Sequence, residues 1–291
     1  MEISQLRMFH TIVEAGSMAQ AALRLHCVPS NITTRIKQLE EELNTALFHR
    51  DGKRLQLTPS GEIFLDYCQK ILALCDEAKR SVHPDAAPSG PLRIGAIESS
   101  ATTRLPQLLA KFHQRYPEVN IQITTGTWKQ LLLDVSQHKI DGAIVAGSIE
   151  FPLLKNFEIY QENMVLIAAE SLGEISTQED LIGKEIFMWT EGCPYRAALE
   201  DWLKLKNISL PMTSITSYAT IIGCVSAGSG VSLIPKSMYE QYKNLPQLCA
   251  YQFDHLTAIQ NQFFWHQNVL NHKARDAFLA LLQQEFSTKN C

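Results

Sequence analysis

The sequence predicts an α/β protein in three parts: a small N-terminal helical domain with a β-hairpin, one long connecting helix, and a two-lobed α/β domain. Three observations carry this. The stretch "SMAQAALRLHCVPSNITTRIKQLE", residues 17–40, holds two short helical runs broken at "HCVP". From Thr58 one amphipathic run continues without interruption to about Val82. After Pro91, strand-like and helix-like segments alternate in two successive series.

Leu6, Phe9 and Val13 recur at helical spacing and end at Ala15-Gly16, which marks a first amphipathic helix. Ser17 and Gln20 form an S-x-x-Q capping box for the next helix, Met18 to about Leu25, whose alanines permit close helix approach. Pro29 then restarts the chain as a helix, because a proline at the first helical position loses no hydrogen bond. From there Ile32, Ile36, Leu39 and Leu43 fall on one stripe. At about 100° per residue, Ser30, Thr34 and Lys37 lie opposite that stripe, flanked by Asn31, Thr33 and Gln38. A short helix, a tight turn and a helix with a polar face make a helix-turn-helix whose second helix enters the DNA major groove by its N-terminal end. Short hydroxyl and amide side chains reach base edges or phosphates there, and threonine methyls suit thymine. Arg35, nearer the buried edge, suits a phosphate or a structural contact. Taken alone, such a face is equally a solvated helix surface.

"LFHRDGKRLQL" adds two strand-like runs around Asp51-Gly52, a hairpin signal, with Arg50, Lys53 and Arg54 about the turn. A hairpin beside a recognition helix is a wing, and its cations would straddle phosphates. The whole arrangement resembles the winged helix-turn-helix of LysR-type transcriptional regulators. The matching features are Phe9, Ala15-Gly16-Ser17, Ala21-Ala22, Leu25-His26, Ile36, Leu39-Glu40, Leu43, Leu47-Phe48, Arg50, Leu57-Thr58 and Gly61. Family members usually carry Ser-Gln-Pro or Val-Gln-Ser at the entry to the second helix, where this chain has Val28-Pro29-Ser30. Pro29-Ser30-Asn31 also resembles a subgroup that includes regulators of putrescine use. The resemblance implies double-stranded promoter DNA as a partner, with RNA polymerase as a further one. The DNA-binding set is Ser17, Pro29, Ser30, Asn31, Thr33, Thr34, Arg35, Lys37, Arg50, Lys53 and Arg54.

Thr58-Pro59 starts the connecting helix, roughly 36 Å long at 1.5 Å per residue. Phe64, Tyr67, Ile71, Leu74 and Ala78 follow 3-4-3-4 spacing, a coiled-coil seam. One seam can pack on the chain's own N-terminal domain. The resemblance implies instead pairing with the same helix of a second subunit, as a dimer within a tetramer. "HPDAAPSGP", residues 83–91, is the hinge. The expected divisions are thus 1–58 for the DNA-binding domain, 59–82 for the linker helix, 83–91 for the hinge and 92–291 for the remainder.

In that remainder "LRIGAI", "VNIQITT" and "GAIVAG" read as strands alternating with helices Leu105 to Tyr116 and Lys129 to His138. A second series begins near "EIFMW" and runs through "PYRAALEDWLKLKN", "TSITS", "YATIIGCVSAG" and "GVSLIP". Both are expected to form mostly parallel sheets. Lobe I is expected over about 92–160 and 265–291, including a C-terminal helix from about His272 to Phe286, and lobe II over about 161–264. Two lobes leave a cleft with ligand groups at strand carboxyl ends and helix N-termini. The layout resembles the periplasmic-binding-protein-like effector domain of LysR-type regulators, which implies a small-molecule effector. Position in the turns gives Glu98, Ser99, Ser100, Thr102, Thr127, Ala146, Trp189, Cys193, Tyr195, Arg196 and Tyr218 as effector-binding candidates. Each small hydroxyl is also a helix cap. Glu98 has two readings. Facing the cleft it favours a cationic effector such as putrescine or another amine; otherwise it pairs with Arg104 or Arg93.

Composition narrows the classes further. Hydrophobic residues make up 45% of 291, enough for large cores, and net charge is −4, so any nucleic-acid contact rests on a local field. Seven cysteines show no C-x-x-C pair and no metal-ligand spacing. With no leader sequence, that odd number is expected to be reduced thiols in a cytoplasm. No apolar run approaches a membrane span. "AGSGVS" completes neither a dinucleotide nor a nucleophile-elbow motif, and the nine histidines show no zinc spacing. An enzyme is therefore not expected, nor a cofactor or metal. The alternative to a regulator is a solute-binding protein, against which the attached helix-turn-helix counts.

Overall fold

The computed structural model describes residues 1–49, 55–81, 87–256, 258–269 and 272–287, the side chains of Glu77, Arg80, Ser81 and Ser287 excepted. The wing turn with Arg50, Lys53 and Arg54, and hinge residues 83–86, lie outside the described residues. The chain forms two compact units, essentially residues 1–85 and 86–291.

In the first unit, helices α1 (Ile3–Ala15), α2 (Met18–Arg24) and α3 (Pro29–Glu42) precede a two-stranded hairpin of β1 (Phe48–His49) and β2 (Gln56–Leu57), and then α4 (Pro59–Ser81). Gly16 ends α1 at φ 69°, a left-handed cap that glycine adopts without a Cβ clash. Ser17 Oγ then accepts from Gln20 N at 3.2 Å, capping α2. The turn into α3 passes through His26 at φ 51°, and Pro29 takes the first position of α3 as the sequence requires. Phe9 is fully buried at the centre, 5.3 Å from the ring of Phe48 and 5.1 Å from that of Phe64. Ile32, Ile36 and Leu39 of α3 complete this core. Glu40 fastens the hairpin to α3 by accepting from Leu47 N at 2.7 Å and Phe48 N at 3.3 Å.

Helix α4 divides the expected seam. Phe64 and Ile71 pack against the unit's own core, beside Cys68, whose thiol pKa burial pushes up to about 12. Tyr67, Leu74 and Ala78 are exposed, as is Ile63. The 3-4-3-4 pattern therefore mixes two stripes: the positions that stay apolar and open run 63, 67, 74, 78, centred about 70° round the helix from Phe64.

The second unit has two lobes. Lobe I is a five-stranded sheet in the order β4-β3-β5-β12-β6, made of β3 (Gly90–Ala96), β4 (Val119–Thr125), β5 (Gly142–Ala146), β6 (Leu154–Glu162) and β12 (Ile259–His266). The first three are parallel, and β12 runs antiparallel between β5 and β6. Helices α6 (Leu105–Arg115) and α11 (Lys273–Ser287) cover one face through Phe112, Phe263 and Phe278, and α7 (Trp128–Ser136) covers the other. Burying each such aromatic side chain stabilises by about 2–3 kcal/mol. A Cβ at Gly142 would stand 2.3 Å from Phe263 Cζ, so that strand needs glycine there.

Lobe II centres on β7 (Met164–Ala169), which pairs antiparallel with β10 (Val231–Pro235) and with β11 (Leu248–Tyr251). The expectation of a mostly parallel sheet is corrected here. Among the described residues, parallel pairing in this lobe is confined to β8 (Phe187–Met188) with β9 (Thr213–Ser214) and the bridge Ile186–Val231. Helices α8 (Pro194–Lys204), α9 (Tyr218–Ser226) and α10 (Lys236–Tyr242) surround it. The chain crosses from lobe I to lobe II between Glu162 and Met164, two residues beyond the expected boundary. It has returned by Ile259, not 265, because β12 pairs along its whole length with β6.

Candidate functional site

On the first unit, α3 presents Ser30, Asn31, Thr33, Thr34 and Lys37 to solvent while Ile32, Ile36 and Leu39 are buried. The two threonine hydroxyls donate back along the helix, Thr33 to Pro29 O at 3.0 Å and Thr34 to Ser30 O at 2.9 Å. Their lone pairs and methyl groups are what remain for a partner. Arg35 is half-buried and its Nη1 lies 3.4 Å from Glu2 Oε2. Ser17 serves first as the cap of α2.

In the second unit a cavity of about 330 Å³ opens between the two lobes. Short turns assemble it. Glu98 and Ser99 open α5 (Glu98–Thr103) directly after β3, while Gly126 and Thr127 follow β4. Ala146 ends β5, and Tyr195 and Tyr218 open α8 and α9 from lobe II. Four helix N-termini thus meet at one place, where unpaired backbone N–H groups and the helix dipoles attract negative charge.

Glu98 occupies that position. Its Oε1 accepts from Tyr218 N at 3.2 Å, at the start of α9 in the opposite lobe. Burial raises the Glu98 pKa, and the Tyr218 N–H partly offsets this. Its other oxygen has no hydrogen bond to a described residue. Neither alternative partner is used: Arg104 Nη2 donates to Glu162 at 3.1 Å, and Arg93 Nη2 to Asp141 at 2.9 Å.

The walls are aromatic. Trp189 and Tyr218 lie 5.4 Å apart, and the Trp189 indole N–H is buried with no acceptor among the described residues. Tyr195 OH donates to Asn261 Oδ1 and shares a hydrogen bond with Ser99 Oγ, both at 3.4 Å, and burial raises its pKa. Across the mouth, Trp128 Nε1 of lobe I donates to Gly192 O of lobe II at 2.8 Å. Cys193 is a lining thiol whose pKa burial raises. Among the described residues no group of His, Cys, Asp or Glu side chains is arranged to hold a metal ion.

Comparison with known proteins assigns both units. Residues 3–62 match the family described as "Bacterial regulatory helix-turn-helix protein, lysR family", and residues 85–287 match the "LysR substrate binding domain". The chain belongs to the LysR family of DNA-binding transcriptional regulators. It is 35% identical over 291 residues to the HTH-type transcriptional regulator GltR of Bacillus subtilis (strain 168), covering 99% of this chain and 98% of that one. It is 37% identical over 238 residues to the HTH-type transcriptional regulator SoxR of Arthrobacter sp. (strain TE1826), covering 81% of each. Its fold is that of CbnR in complex with its target DNA, with a TM-score of 0.72 at 22% identity over 98% of this chain and 99% of that one. A full-length OxyR variant from Pseudomonas aeruginosa shares it too, with a TM-score of 0.76 at 20% identity over 97% of this chain and 95% of that one.

Within the LysR fold, the cavity between the lobes gathers eight of the residues singled out by position: Glu98, Ser99, Thr127, Ala146, Trp189, Cys193, Tyr195 and Tyr218. Three others stand elsewhere. Ser100 is turned behind the cleft, its Oγ 2.8 Å from Tyr160 OH. Thr102 lies on the exposed side of α5. Arg196 is tied to Glu200 Oε1 at 2.8 Å, Trp189 O at 3.2 Å and Ser214 Oγ at 3.1 Å, so it braces the Trp189 loop instead of facing the cavity. Trp128 and Lys129 also line the cavity, beyond the residues that turn position singles out. They open α7 immediately after Thr127, and a tryptophan at the start of a helix following a β-strand turn was the available signal. No helix among the described residues is long and apolar enough to cross a membrane.

Proposed function

We propose that this LysR-family regulator binds promoter DNA through the exposed face of α3 and senses a small organic amine, the class that includes putrescine, in the cleft of its second unit. Glu98 carries the amine reading: a carboxylate already seated where four helix starts converge, with one oxygen that no described residue bonds. It supplies the countercharge for an ammonium, and like charge there opposes a carboxylate ligand. The exposed apolar line Ile63, Tyr67, Leu74 and Ala78 on α4 supports association with a second copy, so that two reading heads address a two-fold-related site, and a pair of dimers forms the tetramer. Effector binding changes the separation of the lobes, and through the dimers the spacing of the heads and their engagement of RNA polymerase.

A gel-shift with the DNA upstream of its own reading frame tests the first half. Retardation is expected to weaken steeply with added salt, and Lys37→Ala to weaken it about equally on every sequence. No salt-sensitive retardation of any neighbouring promoter would overturn the reading. Isothermal titration of the full-length chain with putrescine and simple monoamines tests the second half. Absence of heat for all of them in the wild type removes the amine.

A further inference from the structure

Building on the amine reading of the cleft, we infer that its ligand has a single ammonium head and an apolar body, the head on Glu98 and the body against Trp128, Trp189 and Tyr218. Four features of the cavity lead there.

The first is the placement of the one partly buried carboxylate. Converging helix starts are ordinarily a seat for an anionic ligand. Here the protein fills that seat itself, since Glu98 opens α5 and accepts from the first N–H of α9. A ligand carboxylate would have to displace or repel it.

The second is the want of a basic clamp. Arg196, the guanidinium nearest in sequence to the lining loop, is held by Glu200, Trp189 O and Ser214 and is not among the lining residues. Planar bidentate recognition of a carboxylate therefore has no donor there.

The third is the want of a second countercharge. The other lining carboxylate, Glu191, has a side chain 90% exposed, so it stands in water and is screened. The lining cation is the exposed Lys129. The far ammonium of a short diamine would exchange water for apolar walls or for the neighbourhood of a like charge, and neither repays its desolvation.

The fourth is the wall itself. Two tryptophans and two tyrosines line a space of about 330 Å³, small among ligand cavities and suited to a compact apolar or aromatic body. Aromatic faces also favour an ammonium that already has its countercharge, through the ring quadrupole.

The test is isothermal titration of the full-length protein with three probes: 2-phenylethylamine, putrescine and phenylacetate. The expected order is 2-phenylethylamine at least about tenfold tighter than putrescine, with no detectable heat for phenylacetate. Glu98→Gln, which keeps shape and removes charge, is expected to lose most of the phenylethylamine affinity. Putrescine binding as tightly as the monoamine, or tighter, overturns the single-headed ligand and leaves the amine reading standing. Heat from phenylacetate alone, or from none of the probes, overturns both. The ranking on wild type decides the matter should Glu98→Gln fail to fold, and far-UV circular dichroism identifies that case.

Discussion

Glu98 and Glu162 are two carboxylates that each touch both lobes, and they are treated in opposite ways. Glu162 ends β6 with only 3% of its surface exposed. It accepts from Arg104 Nη2 at 3.1 Å, Ser237 Oγ at 2.9 Å and Ser237 N at 3.2 Å. Glu98 is half-buried and accepts one backbone N–H. A saturated carboxylate has nothing left to offer and holds lobe I to the first turn of α10. An unsaturated one lining a cavity can still accept hydrogen bonds. The difference sets how much each group should cost when removed.

The largest effect is expected at Glu162. Replacing it by alanine leaves Arg104 and Ser237 facing an empty, nearly buried position, a loss of about 3 kcal/mol. For a unit of this size the melting midpoint would fall by about 10 °C. Thermal unfolding followed by circular dichroism measures it. A fall equal to that of Glu98→Gln would erase the distinction between the two carboxylates.

Asp141 extends the saturated class. Burial alone would raise its pKa, but the His272 ring, with Nε2 3.6 Å from Oδ1, and the hydrogen-bonded Arg93 guanidinium outweigh this and hold it well below the usual carboxylate range. A carboxyl depressed on folding contributes stability that is complete above its unfolded pKa, about 4, and is lost as pH falls below that value. Asp141→Asn is therefore expected to cost about 2 kcal/mol at pH 7, with the gap to wild type closing as the pH falls below about 4. Urea unfolding at pH 7 and pH 3 gives both values. A gap that stays constant would mean that Asp141 carries no pH-dependent stability.

The helix-turn-helix was legible because its signals are local: Gly16, Ser17 and Pro29 are caps, and Ile32, Ile36 and Leu39 are spaced by the helix itself. The cleft was partly legible, since each turn following a strand is local even though the turns meet only in the folded chain. What a turn's position does not reveal is the direction of a side chain. Arg196 sits in the first turn of α8, beside the cavity, but is captured by Glu200 one helical turn on, and Ser100 faces Tyr160 instead of the cavity. Strand β12 carries no clear strand signal, because "IQNQFFWH" mixes buried polar and aromatic residues, and only pairing with β5 and β6 makes it lobe I. On α4 two adjacent apolar stripes share one helix, so spacing alone does not tell Phe64 and Ile71, which pack on the unit's own core, from Tyr67, Leu74 and Ala78, which stay exposed.

Glu98→Gln should show the unsaturated case. Because burial raises this carboxyl's pKa in the fold, its charge is a burden at neutral pH, so the variant should melt at or slightly above the wild-type temperature. Ligand binding should show the reverse sign. An ammonium requires the ionised carboxylate, so wild-type affinity for a monoamine should decline as pH falls into the range where Glu98 takes its proton, whereas residual affinity of the variant should not respond. Titrations across pH with wild type and variant side by side check this. A flat wild-type profile would detach the amine from Glu98.

The smallest effect belongs to Trp128. Its indole N–H to Gly192 O, 2.8 Å, is a neutral bond at the cavity mouth, exposed to water on one side, so Trp128→Phe should change stability by less than about 1 kcal/mol. Yet that bond ties lobe I to lobe II across the opening, and Glu162 already secures the lobes on its own account. Removing the N–H while keeping a ring should therefore leave the melting curve almost unmoved and raise the ligand dissociation rate by about three- to fivefold, the rate equivalent of that energy. Stopped-flow displacement of a bound monoamine resolves such a change. If dissociation is unaltered, the bond plays no part in holding a ligand, and the proposed retention is left to Glu98 and the aromatic walls.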